Sequence, residues 1–167
     1  MRYFLTGLPG SGKSHWGRVW AEKSNLMYFD LDNVIESNEG QVIKDIFNSE
    51  GESHFRNLET FYLNKLIDNY KAFIISCGGG TPCHNNNMEL MNSKGTTIFL
   101  NPPLKDAAKR VWKPDGSNSR PLFSNCSTVN DVTKVLENLN AERINFYRQA
   151  HYELNSWDAS AIKKLSK

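Results

Sequence analysis

Short apolar runs alternate along this chain with segments in which apolar residues recur every three to four positions. The runs are apolar at successive positions, so a strand made from one of them has no face suited to water. We therefore expect a parallel sheet that is covered by helices on both faces. The predicted strands cover residues 3–5, 26–29, 73–75, 96–100 and 152–154.

The helical periodicity places a helix after most of these strands. The predicted helices lie around residues 16–20 and 42–47, and over 52–68, 104–112, 131–150 and 160–165. Residues 113–119 are polar and rich in turn formers, which predicts a mobile loop or lid over about 113–127. Because no repeat and no long linker interrupts the pattern, we expect one α/β domain over residues 1–167.

The composition narrows the class of protein. The 167 residues are 39% hydrophobic and 23% charged, which is typical of a globular protein. A net charge of +2, from 20 basic and 18 acidic residues, gives no reason to expect a nucleic-acid partner. No apolar run approaches the roughly 20 residues that cross a bilayer, and we expect no secretory signal. The three cysteines form no zinc pattern, so we expect reduced thiols in a cytoplasmic protein.

A glycine-rich loop follows the first predicted strand. Residues 7–14 read Gly-Leu-Pro-Gly-Ser-Gly-Lys-Ser and match the phosphate-loop pattern G-x-x-x-x-G-K-S/T. The backbone N–H groups of Gly10, Ser11 and Gly12 can surround phosphate oxygens, and the following helix directs its positive end at the same anion. Lys13 is expected to reach the β- and γ-phosphates and Ser14 to bind Mg²⁺. The alternative is a glycine turn that only joins a strand to a helix.

Two carboxylates close the second predicted strand. Asp30 and Asp32 are separated by one residue, so in an extended chain they project to the same side. One of them could hold the water shell of a metal ion and the other a substrate hydroxyl. The alternative for Asp32 is a helix N-cap, a position that favours aspartate.

Further polar residues suit the binding of an acid or a phosphate. Arg56 opens the long predicted helix, although it could instead form a surface ion pair with Glu59. Three glycines, residues 78–80, permit close approach to a ligand, or form only a strained turn. Arg120 in the polar loop could swing over a transferring phosphate, or be solvated. Arg143 lies on an apolar helix face and needs an anionic partner, from the protein or a substrate.

Together these motifs resemble the shikimate kinases, which are P-loop kinases of the nucleoside-monophosphate-kinase type. The resemblance runs from Tyr3 to about Ala150. The phosphate loop is common to many enzymes, whereas the combination of the other motifs is more specific. The resemblance rests on residues 7–14, Phe29-Asp30-Leu31-Asp32, Phe55-Arg56, the triplet at 78–80, Arg120-Pro121-Leu122, and Arg143 with Tyr147.

The resemblance implies a three-layer fold with a five-stranded parallel sheet and a mobile lid, and it implies ATP with Mg²⁺ as cofactors. Lys13, Ser14, His15 and Arg120, with residues 10–12, would bind the nucleotide. The metal would lie at Ser14 and Asp30, and Arg110 near the adenine.

The same resemblance implies phosphorylation of the shikimate 3-hydroxyl, in aromatic amino-acid biosynthesis. Within a substrate-binding region at about 32–61, Asp32 would hold ring hydroxyls together with the backbone of Gly79. Arg56 and Arg143 would clamp the substrate carboxylate, since a guanidinium can make two parallel hydrogen bonds to it. The implied catalytic residues are Lys13, Asp32 and Arg120.

Other functions compete with this one. A gluconate kinase or a nucleoside monophosphate kinase would share the phosphate loop, but two arginines on one carboxylate favour a small hydroxy acid. A regulatory module that binds nucleotide without catalysis is a different class, and the complete set of charged residues speaks against it. We expect a monomer that binds neither nucleic acid nor membrane.

Overall fold

Five parallel strands form the central sheet in a computed structural model that describes residues 1–113 and 121–156. The order across the sheet is β2-β3-β1-β4-β5, and every neighbouring pair is parallel. This confirms the predicted parallel sheet. The strands are β1 Arg2–Thr6, β2 Met27–Asp30, β3 Phe73–Ser76, β4 Thr96–Leu100 and β5 Tyr152–Leu154.

The register brings the ends of the strands to one edge of the sheet. Asp30 at the end of β2 pairs with Ser76 at the end of β3. Ser76 in turn pairs with Leu5, one residue before the end of β1. The chain therefore leaves β1, β2 and β3 at the same edge, where open α/β sheets bind ligands.

Six α-helices and two short 3-10 helices surround the sheet within the described residues. The α-helices are α1 Lys13–Ser24, α2 Leu31–Glu39, α3 Ile43–Asn69, α4 Asn87–Lys94, α5 Leu104–Val111 and α6 Val129–Tyr147. The 3-10 helices are Thr81–Cys83 and Pro121–Phe123.

Alternate strand residues pack against opposite layers of helices. Phe4 and Ile75 belong to a core with residues of α2, α3 and α4, whereas Leu5 and Ile74 pack with α1 around Trp20. A third core joins Phe99 to α5 and α6. Side chains alternate between the two faces of a strand, and both faces here are buried. The predicted three-layer architecture is therefore confirmed.

The helices agree with the prediction around Gly51 and differ from it elsewhere. The helices predicted around 42–47 and over 52–68 are the two parts of α3, which Gly51 divides with its non-helical φ of 82° and ψ of 172°. Helix α2 was considered only in the alternative that made Asp32 a helix N-cap. The Thr81–Cys83 turn and α4 were not predicted, because this polar, asparagine-rich segment lacks a clear apolar period.

The predicted lid is only partly described. Residues 114–120 and the predicted helix at 160–165 lie outside the described residues. Phe123 lies in the predicted loop but is fully buried in the core formed with α5 and α6. Within the residues that the structure describes, no helix is both long and apolar enough to cross a membrane.

Candidate functional site

The phosphate loop links β1 to α1 at the ligand-binding edge of the sheet. Gly10 has φ 78°, and a Cβ atom there would lie 2.4 Å from the backbone oxygen of Ala107. Only glycine therefore fits this turn without displacing α5. Helix α1 begins at Lys13, within the last two residues of the loop, and so directs its N-terminal N–H groups toward the loop.

The Lys13 ammonium lies against the same loop. Its Nζ donates hydrogen bonds of 2.9 Å to the backbone oxygens of Gly7 and Leu8 and of 3.3 Å to Ser11 Oγ. The side chain is buried, so its charge acts in an environment that screens it weakly. Lys13 thus supplies a positive charge beside the phosphate loop.

Ser14 and Asp30 are brought together from α1 and β2. Ser14 Oγ donates a 2.6 Å hydrogen bond to Asp30 Oδ2, which also accepts one of 3.3 Å from Tyr28. A hydroxyl and a carboxylate are hard oxygen ligands, and Mg²⁺ characteristically uses one or two protein oxygens together with waters and phosphates. The pair fits Mg²⁺, although the described residues contain no cluster of three or more His, Cys, Asp or Glu side chains suited to a metal.

A cleft of about 190 Å³ connects the phosphate loop to the acidic residues and the glycine triplet. A larger cleft of about 240 Å³ beside α1 and β2 contains none of the predicted site residues. The smaller cleft is lined by Gly10, Gly12, Lys13, Ser14, His15, Asp30, Asp32, Cys77, Gly78, Gly79 and Arg110.

Asp32 reaches this cleft from a helix and not from an extended strand. Helix α2 begins at Leu31, and Asp30 occupies the N-cap position with φ −99° and ψ 116°, without a capping side-chain hydrogen bond. The predicted strand-like alternation of Asp30 and Asp32 is wrong, and so is the alternative that Asp32 is the N-cap. Both carboxylates nevertheless line the same cleft, because the turn between β2 and α2 occurs between them.

Arg56 forms an ion-pair network with buried Glu59 and with Glu52, which is mostly exposed. Its Nη1 donates to Glu59 Oε2 at 2.7 Å, and its Nη2 and Nε donate to Glu52 Oε1 at 2.8 and 3.1 Å. The Arg56 side chain is 12% exposed and that of Glu59 1%, so the alternative of a surface ion pair is wrong. The network fixes the direction in which the guanidinium points.

The charges in this network shift one another's pKa values. Burial alone would lower the pKa of Arg56, but the carboxylates of Glu59 and Glu52 outweigh burial and raise it. Burial raises the pKa of Glu59, against the opposing effects of Arg56 and Thr81. The hydrogen bonds from Arg56 hold the pKa of Glu52 below its usual range. Arg56 is therefore a permanent cation in this site.

The glycine triplet packs directly against these charged groups. A Cβ atom on Gly80 would lie 2.5 Å from Arg56 Nη1, and one on Gly78 would lie 2.7 Å from Glu59 Oε1. A Cβ atom on Gly79 would lie 3.2 Å from Arg143 Nη1. The triplet is therefore more than a turn, because side chains at these positions would displace both arginines.

Helix α6 carries Arg143, which lies beside Gly79 of the triplet. Four residues later, Tyr147 donates a 2.5 Å hydrogen bond to the backbone oxygen of Gly79. Burial raises the pKa of Tyr147 far above its usual value, so its hydroxyl keeps the donated proton. The apolar helix face predicted around Arg143 is buried at Leu139 and Tyr147, whereas its third apolar residue, Phe146, is exposed.

Cys83 and His84, which follow the triplet closely in sequence, were not predicted as part of the site. The positive charges of Arg56 and Arg143 contribute to the pKa values of both residues. Burial raises the pKa of Cys83 to about 11, and burial and Arg56 lower the pKa of His84. Both are therefore neutral near pH 7, and only their position after the triplet could have indicated them.

Three further residues were predicted to bind the nucleotide, and the structure describes two of them. His15 lines the cleft, with its ring 4.9 Å from that of Trp16 and edge-on to it. Arg110 Nη1 donates to the backbone oxygen of Gly10 at 3.1 Å, which brings α5 to the phosphate loop. Arg120 lies outside the described residues.

Comparisons with known proteins identify the family. The family model described as shikimate kinase matches residues 9–165. A shikimate kinase of Azobacteroides pseudotrichonymphae genomovar. CFP2 is 40% identical over 149 residues, which is 89% of this chain and 86% of that protein. A shikimate kinase of Clostridium botulinum (strain Okra / Type B1) is 40% identical over 164 residues, which is 95% of this chain and 91% of that protein.

Solved structures agree with these sequence relatives. The crystal structure of shikimate kinase from Bacteroides thetaiotaomicron has a TM-score of 0.88 and 32% identity, covering 99% of this chain and 96% of that one. The shikimate kinase of Acinetobacter baumannii, in complex with shikimate, has a TM-score of 0.85 and 30% identity, covering 99% and 90%. Fold, motifs and relatives therefore agree, and this chain belongs to the shikimate kinase family, whose members are kinases that use ATP.

Proposed function

We propose that this chain transfers the γ-phosphoryl group of ATP to the 3-hydroxyl of shikimate, giving shikimate 3-phosphate and ADP. One observation carries the proposal: the phosphate loop and the arginine pair lie on either side of the glycine triplet. The loop shares a cleft with Gly78 and Gly79, and both arginines lie against the triplet. The shikimate complex of the Acinetobacter baumannii relative supports this acceptor. Such a step belongs to the biosynthesis of aromatic amino acids.

The nucleotide is proposed to bind along the loop at residues 7–14. The backbone of Gly10, Ser11 and Gly12 would donate to phosphate oxygens, and Lys13 would move from the loop carbonyls to the β- and γ-phosphates. Ser14 and Asp30, 2.6 Å apart, would hold Mg²⁺, directly or through its waters. When bound, this metal would neutralise charge on the transferring phosphoryl group.

Further nucleotide contacts are proposed for three residues. His15 lines the cleft next to Ser14, which supports a contact with the phosphates. Arg110 lies at Gly10, which supports its predicted place near the adenine. For Arg120, the resemblance supports a role in a lid over about 113–127 that balances charge in the transition state.

The acceptor is proposed to bind between α2, α3, α6 and the glycine triplet, with its contacts in the region of about 32–61 and at the triplet. Arg56 and Arg143 would clamp its carboxylate, because both guanidinium groups lie against the triplet. Asp32 and the Gly79 backbone would hold its ring hydroxyls, and Asp32 lines the cleft next to the phosphate loop. Asp32 would thereby orient the attacking hydroxyl and could accept its proton.

We also propose that residues 1–167 form one domain that acts as a monomer in the cytoplasm, without nucleic-acid partners. The sheet and its two helical layers share continuous cores, which supports a single folding unit. All three cysteines are free thiols, which suits a reducing compartment.

A coupled ADP-release assay with ATP and Mg²⁺ tests the proposal against its nearest alternative. The panel contains shikimate, gluconate and nucleoside monophosphates at equal concentration. We expect turnover with shikimate only. Turnover with gluconate in its place would assign the arginine pair to another hydroxy acid, and turnover with a nucleotide would refute the carboxylate clamp.

A further inference from the structure

We propose that Thr81 is a positioning residue for the acceptor, which acts through Glu59 to hold Arg56 in the direction needed to bind a carboxylate. The inference rests on the proposed function, because it concerns the affinity of the same acid-binding site. Thr81 follows the glycine triplet at the start of the Thr81–Cys83 helix and does not line the nucleotide cleft.

The hydrogen-bond pattern of Glu59 is the first observation. Its two carboxylate oxygens have different partners: Oε2 accepts from Arg56 Nη1 at 2.7 Å, and Oε1 accepts from the Thr81 hydroxyl. With one donor on each oxygen, the carboxylate plane is fixed. Because the carboxylate is fully buried, water cannot replace a donor that is removed.

Thr81 itself is held rigidly. It is fully buried, its N–H donates to the backbone oxygen of Gly78 at 3.2 Å, and its own backbone oxygen accepts from Asn87 Nδ2 at 3.0 Å. Asn87, the first residue of α4, is also fully buried. The hydroxyl is therefore presented to Glu59 from a fixed point of the turn that also carries Gly79.

The same turn restricts Arg56 directly. The position of a Cβ atom on Gly80 is 2.5 Å from Arg56 Nη1, and that on Gly78 is 2.7 Å from Glu59 Oε1. Rotation of the Glu59 carboxylate would therefore also move the Arg56 guanidinium, which lies against this turn. Loss of the Thr81 hydroxyl would also disfavour the charged form of Glu59, whose pKa burial already raises.

The test compares Thr81→Val with Thr81→Ser. Valine removes the donor with little change of volume, whereas serine keeps it. We expect Thr81→Val to raise the KM for shikimate and its Kd by calorimetry roughly tenfold, which corresponds to one lost buried hydrogen bond to a charged group. The KM for ATP should stay within about twofold and kcat within about threefold, and Thr81→Ser should restore the wild-type values.

Thr97→Val is the matched control. Thr97 is equally buried, and its hydroxyl donates to Asn92 Oδ1 at 2.5 Å and accepts from the backbone N–H of His151 at 3.0 Å. The Thr97→Val variant should have lower thermal stability than the wild type and an unchanged KM for shikimate. If Thr81→Val is too unstable to assay, Thr81→Ala removes the same donor and is measured in its place.

A double-mutant cycle with Arg56→Lys tests the route of the effect. If Thr81 acts through Arg56, then Thr81→Val should change shikimate affinity by less than twofold in the Arg56→Lys background. Equal effects in both backgrounds, or a wild-type Kd for Thr81→Val alone, would overturn the inference while leaving the proposed function in place. A wild-type protein that neither binds nor phosphorylates shikimate would overturn both.

Discussion

The hydroxyl of Tyr147 donates a 2.5 Å hydrogen bond to the backbone oxygen of Gly79. This bond ties the C-terminal end of α6 to the middle of the glycine triplet, across 68 residues of sequence. Tyr147 is fully buried, and its ring stacks on Phe99 with centroids 5.0 Å apart. Arg143 is one helical turn earlier, so this bond links the part of α6 that carries Arg143 to the triplet.

Tyr147→Phe should lower the free energy of unfolding by about 1–2 kcal/mol, because it leaves the partly buried Gly79 carbonyl without its donor. The ring and its contact with Phe99 are kept, so the effect reports the hydrogen bond alone. Urea unfolding measures it. Tyr152→Phe is the control, since Tyr152 is 47% exposed and should change stability little. Equal stability of the two variants would mean that the bond contributes nothing.

Lys13→Ala should reduce kcat by about 100-fold or more, because the variant loses a cation that acts on the transferring phosphoryl group. Steady-state kinetics with saturating ATP and shikimate measure the loss. Lys23→Ala, in the last turn of the same helix, is exposed and should keep wild-type kcat. Because Lys13 also holds the carbonyls of Gly7 and Leu8, circular dichroism must show that the variant is folded. Near-normal turnover in a folded Lys13→Ala would refute its assignment to the phosphates.

Arg143→Ala should weaken transition-state binding by about 2–5 kcal/mol, since a substrate carboxylate would lose one of its charged partners. The quantity to compare is kcat/KM for shikimate. Arg148→Ala is the matched control, because Arg148 follows the same helix and is exposed. An unchanged kcat/KM in Arg143→Ala would make Arg143 a structural residue.

The N-terminus of α6 gives a prediction about pH. Thr128 and Asp131 form a capping box, with Thr128 N donating to Asp131 Oδ2 at 2.9 Å and Asp131 N to Thr128 Oγ1 at 3.1 Å. The hydrogen bond from the Thr128 side chain is the main reason that the pKa of Asp131 is lowered. The charged form therefore favours folding, and this contribution is present above the unfolded pKa of about 3.9.

Asp131→Asn should thus lower the melting temperature at pH 7. The difference from wild type should shrink as the pH falls through the lowered pKa of folded Asp131, because the wild type then loses the same charge. Thermal unfolding between neutral and acid pH measures this trend. Glu137→Gln, on the exposed face of the same helix, is the control and should show a smaller effect at pH 7. A difference for Asp131→Asn that is constant with pH would contradict the capping role.

The sheet and the phosphate loop could be predicted from the sequence because their signals are local. Strands such as 73–75 are apolar at every position, and residues 7–14 need only a strand before them and a helix after them. The place of Asp32 could not be predicted in this way. The prediction that Asp30 and Asp32 project to the same side assumes that the chain stays extended past Asp30, whereas α2 begins one residue later.

The surroundings of Arg56 depend on contacts that are distant in sequence. Spacing alone suggested an ion pair with Glu59 on the surface of a helix, and that pair does form. Its burial arises because residues 78–81, about 20 positions later, pack against both side chains. The burial of Phe123 likewise depends on α5 and α6, which pack around it, so the local sequence of the predicted loop could not indicate it.

Phosphorus NMR of a single reaction mixture of ATP, Mg²⁺, shikimate and protein tests the central claim most directly. The proposed function predicts that the γ-phosphate signal of ATP decays while one monoester signal grows, coupled to the proton on carbon 3 of the shikimate ring. Growth of inorganic phosphate alone, or a monoester at another position, would contradict it.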